Sequence, residues 1–188
     1  MGNREDLLAG ARRAILERGV AKVTARDIAA EAGVSLAAIG YHFGSKDELV
    51  TAALLESVGD GIGDGMEAIV GETAGLPLLD GFARLWDRMP EVFERNREAL
   101  LASLENMVRV LRDADGAKAL GEAATQGYLG VAEQLREAHP DLGEDEVAAV
   151  AKLDFALVQS LGIMWLMNPA SLPSGEEFAR AVTVLAGD

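Results

Sequence analysis

The sequence lacks cysteine entirely and has only two histidines, His42 and His139, among its 188 residues. Without cysteine, disulfides, thiol catalysis and thiolate metal sites are excluded. Two histidines are too few for most transition-metal sites, so we expect neither a metal nor a cofactor. The first residues show no basic stretch followed by an apolar run, so no signal peptide is expected. These features favour a cytoplasmic protein.

Runs of alternating β-branched residues bounded by turn signals are also missing, which argues against strands. Apolar residues make up 49% of the chain, and they follow helical spacing, as in the first segment, where Gly19 supplies a stop. Short helices with short connections predict an all-α fold. Beyond the N-terminal region, the expected helical segments lie near 45–58, 77–96, 97–113, 115–138, 144–167 and 175–186.

Positive charge is scarce, since 17 Lys and Arg face 31 Asp and Glu for a net charge of −14. The imbalance is not uniform. Residues 1–50 hold seven basic and seven acidic side chains, so the whole excess lies in 51–188. Long-range repulsion opposes binding of a polyanion to so acidic a surface. Any contact with nucleic acid must therefore be confined to the neutral N-terminal segment.

Residues 24–50 predict two short helices joined by a glycine turn, followed by a third helix. Thr24 is a good N-cap in a capping-box pattern, and Gly33 suits the left-handed turn that ends the first helix. Ser35 is expected to cap the second helix, and Ser45 to begin the third with a full capping box. This arrangement is typical of a helix-turn-helix unit.

This segment resembles the DNA-binding domain of the TetR/AcrR family of bacterial transcriptional regulators. The resemblance implies an N-terminal three-helix helix-turn-helix domain over 1–48. A C-terminal helical bundle for ligand binding and dimerisation follows over 49–188, for about nine helices in all. The residues that carry the resemblance are Thr24, Asp27-Ile28-Ala29, Ala32-Gly33-Val34-Ser35, Tyr41-His42-Phe43 and Ser45-Lys46-Asp47-Glu48-Leu49.

By the same resemblance, a recognition helix over Ser35–His42 enters the major groove while flanking groups hold phosphates. Gly40 replaces a tyrosine that many relatives carry, and the apolar residues beside it suit thymine methyl groups. Phe43 is expected in the core. The predicted DNA-binding residues are Thr24, Ala25, Arg26, Ser35, Leu36, Ala37, Ala38, Gly40, Tyr41, His42 and Lys46.

Large, adaptable side chains in the C-terminal region can line an apolar pocket, although such residues at helical spacing also form ordinary cores. Polar residues within apolar stretches could orient a ligand, lie on the surface or be hydrogen-bonded in the core; they are Glu105, Asn106, Gln126, Asp154 and Gln159. His139 is expected in solvent. The predicted ligand-binding residues are Trp86, Met89, Phe93, Met107, Tyr128 and Phe155.

The segment 147–167 is apolar around nearly its whole circumference. It is long enough to cross a bilayer, but its internal charges and acidic flank argue against insertion, so no membrane is expected. One face (Val150, Leu153, Leu157, Met164) could meet the chain's own core and the other a second subunit, or the reverse; a core helix of a monomer is the alternative. The predicted dimer-interface residues are Phe155, Val158, Gly162, Trp165, Phe178, Ala181, Val182 and Leu185.

The stretch GDGIGDG at 59–65 is predicted to break the helical pattern. It lacks the ending of a phosphate-binding loop and the acidic spacing of a calcium loop. Two interpretations stay open: a flexible joint through which a ligand moves the DNA-reading heads, or a solvated loop without a signalling role.

The predicted function is a homodimeric repressor that leaves its double-stranded operator when a small apolar effector binds. An alternative is a helical ligand-binding or adaptor protein that has lost DNA binding, which Gly40 and the neutral head make credible. An enzyme is not expected, because the sequence shows no cysteine, histidine cluster or nucleophile-elbow pattern.

Overall fold

The structure, a computed structural model, describes residues 3–73 and 75–187. No strand occurs in these residues, so the predicted all-α class is confirmed. The described residues form ten α-helices, in line with the predicted number of about nine. A π-helical turn at Gly59–Gly63 follows α4 and precedes α5. The helices are α1 (Asn3–Arg18), α2 (Ala25–Ala32), α3 (Ala37–Phe43), α4 (Lys46–Val58), α5 (Asp64–Glu72), α6 (Leu78–Arg95), α7 (Arg97–Val110), α8 (Ala114–Ala138), α9 (Glu144–Met167) and α10 (Gly175–Ala186).

The chain divides into two compact units, and neither is a continuous stretch of sequence. The first, the head unit, comprises the chain up to Asp60 together with Glu98–Lys118. The second, the C-terminal unit, comprises Gly61–Arg97 and the chain from Ala119 onward. The functional boundary between 1–48 and 49–188 stays a prediction.

The core of the head unit forms where α1 packs against α2 and α4. The inward face of α1 is the one that helical spacing predicts, and Leu7 and Ala11 are completely buried there. Ile28 of α2 and Leu49 of α4 complete the centre, each at 0% exposure. Gly19 ends α1 with a φ of 79°, a left-handed conformation that favours glycine.

Helix α7 belongs to the head unit through a small core contact and a polar network. Ala102 packs against the head core. Asn106, only 3% exposed, donates from its amide nitrogen to the Thr51 hydroxyl oxygen at 3.1 Å. Arg109 donates to the Asn106 side-chain oxygen at 2.7 Å and pairs with the Asp47 carboxylate at 3.2 Å. The network ties α7 to α4.

The glycine-rich stretch 59–65 does not break the helix, contrary to the prediction. It forms the π-helical turn and the start of α5. Ile62 within it is 4% exposed, and the Gly61 carbonyl oxygen accepts a hydrogen bond of 3.1 Å from the Asn96 side chain. A solvated loop is therefore excluded, and a joint remains a hypothesis.

Gly65 and Gly63 differ in the space around them, which predicts opposite effects of an added methyl group. A Cβ on Gly65 would lie 2.6 Å from a methyl carbon of the fully buried Val92, whereas a Cβ on Gly63 meets nothing within 4 Å. We expect Gly65→Ala to destabilise the protein by about 1–3 kcal/mol through overpacking. Gly63→Ala should stabilise it by about 0.5–1 kcal/mol.

Urea unfolding of the two variants measures the difference directly. Equal effects of the same sign would show that close packing against α6 is not the reason for glycine at position 65.

In the C-terminal unit, α6 packs against α5, α9 and α10. The rings of Phe82, Trp86 and Phe178 lie about 6 Å from one another and join α10 to α6. Gly175 begins α10 against the Ala83 carbonyl, where a Cβ would collide with backbone, and its amide donates to the Asp87 carboxylate at 2.7 Å. The start of α10 is thereby fixed to α6.

Helix α9 is long and apolar enough to cross a membrane by length and composition alone, which is weak evidence by itself. Lys152 and Asp154 interrupt its apolar character. Ala151 is completely buried in a cluster with Ala132 and Leu135 of α8. We therefore treat α9 as a packed helix of the C-terminal unit.

The sequence left open which of two faces of α9 packs in the chain's own core. The face that packs there is the one that contains Val158, Gly162 and Trp165. Val158 (8%), Gly162 and Trp165 (4%) are buried within the C-terminal unit, and the Trp165 ring lies 6.1 Å from that of Phe93. Their prediction as dimer-interface residues is therefore corrected. Phe178 packs on α6 but is only half-buried, as is Phe155, and both stay predictions. Ala181, Val182 and Leu185 are exposed.

Candidate nucleic-acid interface and cavity

The start of α2 is fixed by a reciprocal cap, as the sequence predicts. The Thr24 hydroxyl oxygen accepts from the Asp27 amide at 3.2 Å, and the Asp27 carboxylate accepts from the Thr24 amide at 2.9 Å. The Thr24 hydroxyl also donates to that carboxylate at 2.6 Å. These Thr24 bonds lower the pKa of Asp27 from its usual value. The hydroxyl hydrogen is thus committed, which leaves the first backbone amides of α2 to meet a phosphate.

The turn between α2 and α3 contains the predicted glycine but not the predicted cap. Gly33 has a φ of 67°, in the left-handed region. Helix α3 begins at Ala37, and its N-cap position is Leu36, without a side-chain cap hydrogen bond. Ser35 instead contributes its carbonyl oxygen, which accepts from the Ala38 amide at 3.0 Å. The Ser35 side chain is therefore not the cap of α3.

One face of α3 points out of the head unit. Leu36, Ala37, Gly40 and Tyr41 are exposed, at positions that a helix places on a single side. Ala38 is only 8% exposed and packs in the head core. Ala38 therefore cannot meet a base edge, and its prediction as a DNA-binding residue is corrected.

Polar and cationic side chains surround this face. Tyr41 is 86% exposed, and its ring stands edge-on to the half-buried His42 ring at 4.8 Å. Lys46 donates to the Val23 carbonyl oxygen at 3.4 Å and pairs with Asp47. Arg26 is exposed and has no hydrogen-bond or ion-pair partner within residues 3–73 and 75–187, so its guanidinium is available to an anion.

The cap of α4 is half of the predicted capping box. The Ser45 hydroxyl oxygen accepts from the Glu48 amide at 3.1 Å and donates to the Glu48 carboxylate at 3.2 Å. The carboxylate therefore bonds the Ser45 side chain rather than its backbone. The start of α4 is nevertheless fixed at the predicted residue.

Two short helices joined by a left-handed glycine turn, packed between α1 and α4, form a helix-turn-helix domain. The outward face of α3 lies where a recognition helix presents side chains to a major groove. The fold and this face define a helix-turn-helix protein of the DNA-binding class.

Comparison with known proteins identifies the family. Residues 7–53 match the family described as "Bacterial regulatory proteins, tetR family". The regulator TtgR of Pseudomonas putida is 49% identical over 51 residues, which are 27% of this chain and 24% of TtgR. The match thus spans about a quarter of that relative's length. Residues 7–53 therefore form a DNA-binding domain of the TetR family, and the relatives that match them are transcriptional regulators.

Solved structures show the same fold over nearly the whole chain. The multidrug binding protein EbrR in complex with imidazole is 24% identical, covers 97% of this chain and 93% of its own, and has a TM-score of 0.62. A transcriptional regulator of Rhodococcus sp. Rha1 is 22% identical over 98% and 94% of the two chains, with a TM-score of 0.57. Identities this low establish the fold alone.

Gly40 is not required by packing, because a Cβ there meets nothing within 4 Å. Gly40→Ala should therefore stabilise the head by about 1 kcal/mol through helix propensity. If backbone approaches DNA closely at this position, the same change lowers DNA affinity. Gly121→Ala, at an exposed site in α8 that is equally open, is the matched control for stability.

Thermal unfolding and a DNA-binding titration of both variants separate the two effects. Unchanged DNA affinity in Gly40→Ala would remove Gly40 from the proposed interface.

A cavity of about 30 Å³ lies inside the C-terminal unit, between α5, α6, α8 and α9. Its lining is mostly aliphatic and aromatic, with Leu85 and Leu135 among the buried residues. Four lining residues are polar: Thr73, Gln134, His139 and Asp154. His139, expected in solvent, is half-buried there, which corrects that prediction.

The six predicted ligand-binding residues do not line this cavity. Phe93 and Met89 are almost completely buried core residues of α6, with Trp86 beside them. The Phe155 ring packs where a Cβ on Gly127 would stand, and Tyr128 stacks under Lys152 at 5.6 Å. Met107 lies in α7, in the head unit. The ordinary-core interpretation holds for the first three, and none of the six has a place in the cavity.

Asp154 is the unusual residue of this cavity. It is 3% exposed, and its Oδ1 atom has no hydrogen-bond partner in the described part of the chain. Burial raises the pKa of Asp154 to about 7, since desolvation disfavours the charged carboxylate. A lone acid in the apolar sequence of α9 was a visible signal. No comparable sequence signal pointed to Gln134, Thr73 or the aliphatic lining, because these residues come from segments far apart in sequence.

The side of α9 that faces away from the core forms an apolar stripe. Leu153 (46%), Ile163 (40%), Met164 (38%) and Met167 (80%) are exposed along it. On α10, Leu185 is 87% exposed. We call the outward residues of α9 and α10 together the apolar stripe; they are Leu153, Ala156, Ser160, Ile163, Met164, Met167, Ala181, Val182 and Leu185.

Proposed function

We propose that this chain is a homodimeric repressor that binds operator DNA through α2 and α3 and leaves it when a small effector enters the C-terminal unit. The exposed face of α3 is the observation that carries the proposal. Leu36, Ala37, Gly40 and Tyr41 point outward without serving the core, on a neutral segment of an otherwise acidic chain. Such a regulator acts in the cytoplasm, where the DNA is.

The proposed interface divides into two kinds of contact. Leu36, Ala37 and Gly40 face base edges, where apolar groups suit thymine methyls. Arg26, Tyr41, Lys46 and the amides at the start of α2 hold phosphates, which position the domain without reading sequence. Ser35 and His42 flank the face.

A gel-shift titration with the DNA upstream of its own gene, at two salt concentrations, tests the proposal. Specific binding should weaken with a logarithmic slope of about −0.9 per neutralised phosphate. Arg26→Gln should reduce that slope by about 1. Arg95→Gln, which removes the same charge from an exposed site in the C-terminal unit, should leave it unchanged.

If the protein does not bind this DNA at either salt concentration, the alternative is favoured, namely a ligand-binding or adaptor protein without DNA binding. Equal effects of the two arginine substitutions would place the DNA contact outside the head.

The apolar stripe supports the dimeric state. Two heads must reach successive major grooves about 34–36 Å apart to read a palindromic operator. Exposed leucine, isoleucine and methionine side chains on α9 and α10 favour association with a second copy. We propose the apolar stripe as the subunit interface.

The cavity supports response to a ligand. It is concave, mostly apolar and lined by a few polar groups, as small-molecule sites usually are. Within the head unit, Asn106 bonds to Thr51 and Arg109 pairs with Asp47, so a displacement of α7 would act directly on α4. The chain passes from one unit to the other within the π-helical turn at Gly59–Gly63.

A further inference from the structure

Two buried oxygen atoms that accept hydrogen bonds have no partner among residues 3–73 and 75–187, and both belong to residues lining the same cavity. They are Oδ1 of Asp154 and Oε1 of Gln134. Buried acceptors without a donor are rare in folded proteins, and each calls for a physical explanation. Two in one small cavity indicate a partner that donates hydrogen bonds.

No described side chain of the cavity lining donates to either oxygen. No lysine or arginine is among its lining residues. The Thr73 hydroxyl donates to the Val70 carbonyl oxygen at 2.9 Å and is therefore engaged. His139 lines the cavity but does not bond either oxygen, since both lack a partner. A donor from outside the chain would satisfy both oxygens.

We propose that the cavity binds the protonated amino group of an apolar amine, with the ammonium held by the Asp154 carboxylate and the Gln134 amide oxygen. An ammonium carries three donors and a positive charge, so it satisfies both acceptors and compensates the buried negative charge. Burial raises the pKa of Asp154 to about 7, and an ammonium beside the carboxylate would lower that pKa again. This inference rests on the proposed function and names the chemical class of its effector.

The size of the cavity restricts the ligand further. About 30 Å³ is room for roughly two water-sized groups. An aminomethyl end, with one carbon and one nitrogen, matches that room. The apolar remainder of the molecule does not fit in that volume, so it must lie against the partly exposed lining residues Leu78, Phe82, Val131 and Val150. The site therefore selects a primary amine on a hydrocarbon body over an anion or a bulky quaternary cation.

Calorimetric titration with benzylamine and with benzyl alcohol tests the inference. The two probes have the same ring and the same number of non-hydrogen atoms, and at about pH 7.5 only the amine is charged. Benzylamine should bind the full-length protein at least about tenfold more tightly than the alcohol. Asp154→Asn should abolish that preference, and Gln134→Leu should reduce it.

Asp145→Asn is the matched control, because it removes the same charge from an exposed position of the same helix. It should keep the preference for the amine. Equal binding of the two probes, no binding of either, or a preference that persists in Asp154→Asn would overturn the inference.

The DNA titration keeps this inference separate from the proposed function. Operator binding together with equal affinity for the two probes contradicts the amine site and leaves the regulator intact. An Asp154-dependent preference for benzylamine in a protein that binds no operator supports the amine site and contradicts the regulator.

Discussion

Asp154→Asn is expected to stabilise the unliganded protein by about 4 kcal/mol at pH 8. The reason is the pKa of Asp154, which burial raises from 3.8 to about 7. An acid whose pKa is higher in the folded state binds its proton more tightly there. Its contribution to stability is therefore complete below about pH 4 and is lost as the pH rises through 7. Asparagine resembles the protonated acid but does not ionise, so its contribution to stability does not change with pH.

Urea unfolding at pH 5.5 and pH 8, at one fixed protein concentration, measures this effect. The advantage of the variant should grow by about 2 kcal/mol between the two pH values. His139, the other titratable residue on the cavity lining, is present in both proteins and cancels in the comparison. Asp145→Asn should show no such growth. An advantage that is the same at both pH values would mean that Asp154 is not buried as a charged group at pH 8.

Ile163→Glu combined with Met164→Glu is expected to convert a dimer into a monomer and to weaken operator binding by at least about a hundredfold. Both side chains lie on the apolar stripe, at 40% and 38% exposure, so the monomer's own core is spared. Two glutamates at a self-complementary interface meet their own copies, and each burial of an unpaired charge is costly. A monomer then binds one half-site at a time and loses the additional affinity that two linked heads provide.

Sedimentation gives the mass, which should fall from twice 19.8 kDa to 19.8 kDa, and a gel-shift titration gives the affinity. Val108→Glu is the control, because Val108 is also apolar and exposed, at 55%, but lies on α7. It should leave the mass unchanged. A double variant that keeps the dimer mass would place the interface elsewhere. A monomer that binds operator DNA as tightly as the parent protein would contradict the proposal that two heads bind the operator together.

Local signals allowed α2 to be predicted to the residue. Thr24, Asp27 and Gly33 act within one turn of the backbone, so neighbouring residues contain all the information needed. The same argument failed at Ser35, because the chain enters α3 through a tight turn that uses the Ser35 carbonyl and places Leu36 at the cap. Ala37 and Ala38 are chemically identical, so only packing against α1 and α4 decides which of them is buried.

The C-terminal unit was harder to predict because its decisive contacts join distant segments. Helix α9 is apolar all round, so its sequence left two faces equivalent, and the packing of Ala151 and Trp165 resolves them. The glycines at 61 and 65 were interpreted as a break, whereas close approach of α6 explains them. The cavity brings together Gln134 of α8, Asp154 of α9 and Thr73 of the turn after α5, and no periodicity within one helix encodes that meeting.

The polar network that joins α7 to α4 has a consequence for biosynthesis. Thr51 and Asp47 leave the ribosome with α4, which ends at Val58, but their partners Asn106 and Arg109 follow only with α7. A nascent chain therefore carries an incomplete head until that later helix has emerged. The reading domain therefore gains these polar contacts only after translation has passed Arg109.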